Sequence, residues 1–373
     1  MSSTTKPLRW GIIATGAIAQ HFTKDLILDP SKRDASDVQH LVTAVGSRSV
    51  ASAQKFIDNI LSSSDSKDAK PCGSYADVFA DPNVDVVYIG TPHTMHYDNT
   101  KDALLAGKHV LCEKPFTFDL AELDELIKIA REKKLFLMEA VWTRFHPIAY
   151  AVQKEVFSGK YGKIQRINTI IERELTDRMV APELGGGALL DLGPYPMTML
   201  LLQQHPDNKS HASPSSITGH MVPYARTGVD ASSTWIVEWK DLGVAVCTAS
   251  MTTVMSLERS VIIQLETAEI HIDFPTYRPE GFTILERPSK KSPSEGEKVK
   301  IKRTHVDCPI PKGAGRGMEY QADEVARCIR DGRLESERCS LAESRIVMHV
   351  FDEVRKQGKY PVTEGKAGPP KGL

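Results

Sequence analysis

The 373-residue chain has almost no net charge, with 47 Lys plus Arg against 48 Asp plus Glu. That balance gives no bulk attraction toward nucleic acid or an anionic membrane surface. No run approaches the roughly 18 apolar residues of a membrane span. The polar opening "MSSTTKPLRW" lacks the apolar core of a secretory leader. Cysteine is scarce: Cys72, Cys112, Cys247, Cys308, Cys328 and Cys339 form no C-x-x-C pair and are too few for a disulfide scaffold. A cytoplasmic protein with reduced thiols is expected. The length exceeds what one hydrophobic core serves, so two domains are expected.

Over the first 145 residues, short apolar runs alternate with helical spacing. "LRWGIIA" (8–14), "HLVTAVGS" (40–47), "VDVVYIGTP" (84–92), "KHVLCEKP" (108–115) and "LFLMEA" (135–140) read as strands. Helical segments at 17–28, 50–61 and from Asp119 lie between them, the last opened by a capping box of Asp119 and Glu122. This alternation predicts a Rossmann-type, doubly wound parallel sheet in a domain spanning 1–145.

Beyond it, a helix near 147–159 gives way to longer strand-like runs at 164–174, 232–239, 244–253, 260–267 and 269–275. "KDLG" (240–243) reads as a hairpin, 287–300 as a surface loop, and 318–331 and 340–357 as closing helices. The expectation for 146–373 is an α+β domain with a large, mostly antiparallel open sheet. Trp235 and Trp239, four apart and so on one strand face, are expected to pack rather than bind sugar.

"WGIIATGAIAQHF" (10–22) nearly matches the dinucleotide fingerprint G-x-G-x-x-G/A. Ala14 replaces the first glycine, Gly16 keeps the second, and Ala19 is an allowed third residue. The stretch follows the first strand and opens the first helix, the context the fingerprint requires. Gly11, Ala14, Thr15, Gly16, Ala17 and Ile18 are therefore cofactor candidates. Ala14 is harmless if its φ is negative and strained if φ is positive.

The second strand ends in Ser47 and Arg48 with no carboxylate. A hydroxyl and a guanidinium suit a 2′-phosphate, which a carboxylate would repel, so NADP is preferred over NAD.

Two further blocks carry chemistry. "CEKPF" sets Glu113 and Lys114 at a strand's carboxyl end, and "GGGALLDLGPY" sets Asp191 and Tyr195 four apart. Oxidation of a carbinol needs a group to take the hydroxyl proton. Tyrosine, with a pKa of about 10, does this poorly unless a cation favours its phenolate. Lys114 and Tyr195 are the expected pair, with Asp191 positioning the substrate. His93 and His96 stand three apart without a third ligand nearby, so no metal is expected.

Together, "WGIIATGAIA", "TPHTMH", "EKPF" and "GGGALLDLGPY" resemble the glucose-fructose oxidoreductase/inositol dehydrogenase (Gfo/Idh/MocA) family over residues 8–358. Tyrosine at 195 and "WTRF" at 142–145 resemble its branch of dihydrodiol dehydrogenases and fungal NADP-dependent D-xylose 1-dehydrogenases. The resemblance implies that Thr91, His93, His96, Glu113 and Lys114 line NADP with Gly16, Ser47 and Arg48. It places Trp142, Arg144 and Phe145 near the nicotinamide or substrate. It implies oxidation of D-xylose at the anomeric carbon to the lactone, or of an aromatic-derived diol, by a homodimer joined through the second sheet. A cofactor-binding sugar sensor without turnover is the alternative from another class, and the presence of both Lys114 and Tyr195 argues against it.

Overall fold

The computed structural model describes residues 6–174, 176–201, 213–240, 243–254, 258–287, 300–313 and 315–360. The chain divides into two compact units, residues 1–142 with 310–345, and residues 143–309 with 346–373.

The first unit runs β1 (Leu8–Ile13), α1 (Ala17–Leu26), β2 (His40–Gly46), α2 (Val50–Ile60), β3 (Lys70–Cys72), α3 (Tyr75–Phe79), β4 (Val86–Ile89), α4 (His96–Leu105), β5 (His109–Glu113), α5 (Leu120–Lys133) and β6 (Leu137–Ala140). All six strands are parallel in the order β3-β2-β1-β4-β5-β6. β4 is buried throughout, as a strand covered on both faces must be. Asp119 caps α5 by accepting from the Glu122 N–H, while the Glu122 carboxylate reaches back to the Phe118 N–H. The expected capping box thus forms one residue wider than its usual form.

The second unit contains α6 (Pro147–Val156), β7 (Ile164–Glu172), α7 (Ala188–Leu192), α8 (Pro194–Leu201) and β8 to β14. These last strands are β8 (Ser216–Pro223), β9 (Asp230–Trp239), β10 (Gly243–Ser250), β11 (Val261–Leu265), β12 (Ala268–Ile272), β13 (Gly281–Glu286) and β14 (Lys302–Asp307). They form one eight-stranded sheet, β14-β13-β12-β11-β7-β10-β9-β8, antiparallel except where β10 lies parallel to β7. Helices cover one face: Trp235 meets Phe351 edge-on and donates its indole N–H to the Met197 sulfur. Both Trp235 and Trp239 are core residues. Parts of the expected 240–243 hairpin and 287–300 loop lie outside the described residues.

The chain ends with α9 (Glu319–Arg330) and α10 (Leu341–Gln357). Here the structure departs from the expected division at 145: residues 310–345 return to the first unit. Buried ion pairing draws them back. Asp323 on α9 accepts two bonds from Arg33, at 2.8 and 2.9 Å, and contacts His40 at 2.9 Å. Partners some 290 positions apart leave no local signature.

Candidate active site

The strand order reverses between β1 and β4, and in open parallel sheets ligands bind beyond the carboxyl ends at such a switch point. Gly16 caps α1 there with extended backbone, and nothing lies within 4 Å of where its β-carbon would stand. No side chain caps α1, and no acid occupies its first turn. An acid-free helix start beside that open space suits an anion.

Ala14 has a φ of +79° and donates its N–H to the Gly46 carbonyl at 3.0 Å. This is the strained outcome: the turn is left-handed although its residue carries a β-carbon. Gly11 has a packing explanation, since a β-carbon would come within 2.5 Å of the Val78 side chain.

Ser47 is buried after β2, its hydroxyl 3.3 Å from that of Thr15. Arg48 is exposed beside the start of α2, whose first turn also carries no acid. Tyr75, not singled out by the sequence, feels the Arg48 charge, and its ring closes against Gly46. A hydroxyl, a guanidinium, an acid-free helix start and an aromatic ring converge on one corner. These residues fit an anionic dinucleotide.

Beyond β4, Thr91 accepts from Asn99 through its hydroxyl at 3.1 Å. Buried His96 faces the Thr91 carbonyl at 3.0 Å and the Pro115 carbonyl at 2.7 Å. Burial lowers its pKa to about 4, although both carbonyls favour a protonated ring. It ties the end of β4 to the turn after β5, and its ring stands edge-on to His93. Among the described residues no group of three or more His, Cys, Asp or Glu side chains could hold a metal ion.

Glu113 at the end of β5 accepts from the Tyr88 hydroxyl at 2.7 Å, and burial pushes its pKa up to about 7. Lys114 follows, half-buried, and Trp142 lies just past β6. Apart from Gly11, the first unit's expected residues lie at the carboxyl ends of its strands, in the turns leaving them, or in the first turn of the helix that follows.

Arg144, Phe145, Asp191 and Tyr195 belong to the second unit. Asp191 is buried on α7 and accepts from Arg178 at 2.9 Å. Tyr195 opens α8, half-buried, with the Tyr277 ring 5.9 Å away. Arg178 and Tyr277 were not foreseen: "DRMV" and "FPTYRPEG" show only a turn-like composition.

Residues 8–141 match the model of an oxidoreductase family with an NAD-binding Rossmann fold, and 150–271 match the GFO/IDH/MocA C-terminal domain. The chain belongs to the Gfo/Idh/MocA oxidoreductase family. This Gfo/Idh/MocA chain is 39% identical to a D-xylose 1-dehydrogenase (NADP(+)) of Hypocrea jecorina, over 95% of its own length and 93% of the relative's. It is 32% identical to the trans-1,2-dihydrobenzene-1,2-diol dehydrogenase of Homo sapiens, over 94% and 96%. Solved structures share the fold: a 3-ketoreductase from Actinomadura kijaniata gives a TM-score of 0.73 at 22% identity, covering 94% of this chain and 98% of that one. An aldose-aldose oxidoreductase from Caulobacter crescentus gives 0.74 at 18%, covering 98% and 100%.

Proposed function

We propose that this chain is an NADP-dependent sugar dehydrogenase that oxidises D-xylose at its anomeric carbon to the lactone. The observation that carries the reading is the corner after β2: Ser47 and Arg48 stand where a carboxylate would select NAD, beside an acid-free helix start. The Hypocrea relative adds the substrate. Gly16 and the start of α1 would hold the pyrophosphate, and Ser47 and Arg48 the 2′-phosphate. When bound, NADP supplies the hydride acceptor. Tyr195 takes the proton from the sugar hydroxyl, the Lys114 ammonium favours its phenolate, and Asp191, held by Arg178, orients the neighbouring hydroxyls.

The outward face of the second sheet carries exposed Ile170 and Ile236, and Val222 at its edge strand. With the branch resemblance, this supports a homodimer joined through that face. The relatives' aromatic diol is the second reading of the substrate.

NADPH formation from D-xylose and from trans-1,2-dihydrobenzene-1,2-diol, measured side by side, tests the proposal. Faster turnover of xylose supports it. Turnover of the diol alone, or of neither, overturns it.

A further inference from the structure

Asp191 and Tyr195 ride on a segment that does little to fix its own conformation. Three glycines lead into α7, a helix of five residues without a side-chain cap of its own. A helix so short does not hold itself together in water. Two outside contacts secure it. The Met179 and Ala181 carbonyls accept from the Gly187 and Gly186 N–H groups at 2.8 and 3.0 Å. Asp230, the first residue of β9, reaches the helix start from the sheet.

One Asp230 oxygen accepts from the Leu189 N–H and from the Ser233 hydroxyl, both at 2.7 Å. The other oxygen presses on Gly187, where a β-carbon would stand 2.1 Å from it and φ is +119°. Glycine at 187 is what admits the carboxylate. Asp230 is buried, and Arg355 and Tyr360 are the other ionisable groups whose charges couple to it. It supplies from a distance the acceptor that a helix usually finds in its own N-cap side chain.

We propose that Asp230 is a positioning residue whose carboxylate clamps the start of α7 and so sets the direction in which Asp191 and Tyr195 project. The proposal rests on the roles given above to those two residues. Asp230→Asn keeps an oxygen for the Leu189 N–H, and Asp230→Ala removes it. A displacement of about 1 Å in a reacting group can cost on the order of a hundredfold in rate.

The test compares the full-length wild type, Asp230→Asn, Asp230→Ala and Gly187→Ala. It reads kcat and KM on D-xylose, NADPH affinity by fluorescence, and hydrogen exchange over 186–195. The clamp predicts that Asp230→Ala loses roughly 10- to 100-fold in kcat, keeps its NADPH affinity and exchanges faster over 186–195. Asp230→Asn restores most of both properties, and Gly187→Ala reproduces the loss. Wild-type exchange in Asp230→Ala, or exchange as fast in Asp230→Asn as in Asp230→Ala, overturns it. If Asp230→Ala does not fold, the other two variants decide: a wild-type-like Asn variant with a fast-exchanging Gly187→Ala supports the clamp, and the reverse overturns it. Should the wild type leave xylose untouched, the functional reading fails while the exchange measurements still judge the clamp.

Discussion

The first unit mounts its candidate residues on the ends of buried parallel strands. The second mounts Asp191 and Tyr195 on short helices that other elements must hold. A strand end is fixed by the hydrogen-bonded sheet behind it, so Glu113 and Lys114 need only the pairing of β5 with β4 and β6. α7 has no such frame and borrows Asp230, Arg178 and the carbonyls of 179–181. A parallel sheet therefore makes a site whose residues are cheap to keep in place. A helix over an open sheet makes one whose precision depends on distant partners.

This contrast can be sharpened by experiment. The largest effect is expected at Lys114. Lys114→Met should lower kcat/KM on D-xylose by roughly 10²- to 10⁴-fold, the usual yield of acid–base assistance, and raise the pH at which the remaining activity develops. Steady-state rates against pH check this. Arg48→Gln should weaken NADP binding by roughly 10- to 100-fold, as loss of one or two bonds to a charged group does, and leave NAD binding nearly unchanged. Fluorescence titration with both reduced cofactors separates the two.

Stability should respond next. Burial and the neighbouring Asp25 charge raise the Glu319 pKa well above its ordinary value, although four N–H groups of residues 315–318 bond to the two carboxylates. The folded state then holds this proton more tightly than the unfolded one. The stabilisation is complete at low pH and is lost as pH rises through the interval between the two values. Melting temperature should fall from about pH 5 to 7, and Glu319→Gln should flatten that fall. The smallest effect belongs to Ala14→Gly. It relieves a left-handed alanine that costs about 1–2 kcal/mol, and the extra freedom of unfolded glycine offsets part of the gain. A net stabilisation below about 1 kcal/mol in urea unfolding is expected.

Much of the first unit was legible because its signals are local. Strands of Val and Ile, a glycine turn and a capping box each declare themselves within a few residues. In the second unit the alternating strands β9 to β12 were legible, whereas β8, β13 and β14 were missed. β14, "KRTHVD", is exposed or half-exposed along its length and carries no burial pattern, and β13 opens on Gly281. Arg178, Asp230 and Tyr277 escaped notice for the same reason as the return of 310–345: their meaning lies in partners far along the chain. The sign of φ at Ala14 was equally closed to pattern reading, since composition does not report how a turn is wound.

The account's central claim is that cofactor binding belongs to the first unit and proton removal to Tyr195 in the second. Tyr195→Phe tests it most directly, with NADPH affinity and xylose turnover measured on one preparation. The account predicts affinity within about twofold of wild type and turnover reduced by roughly 10²-fold or more. Unchanged turnover with the phenylalanine in place would contradict it.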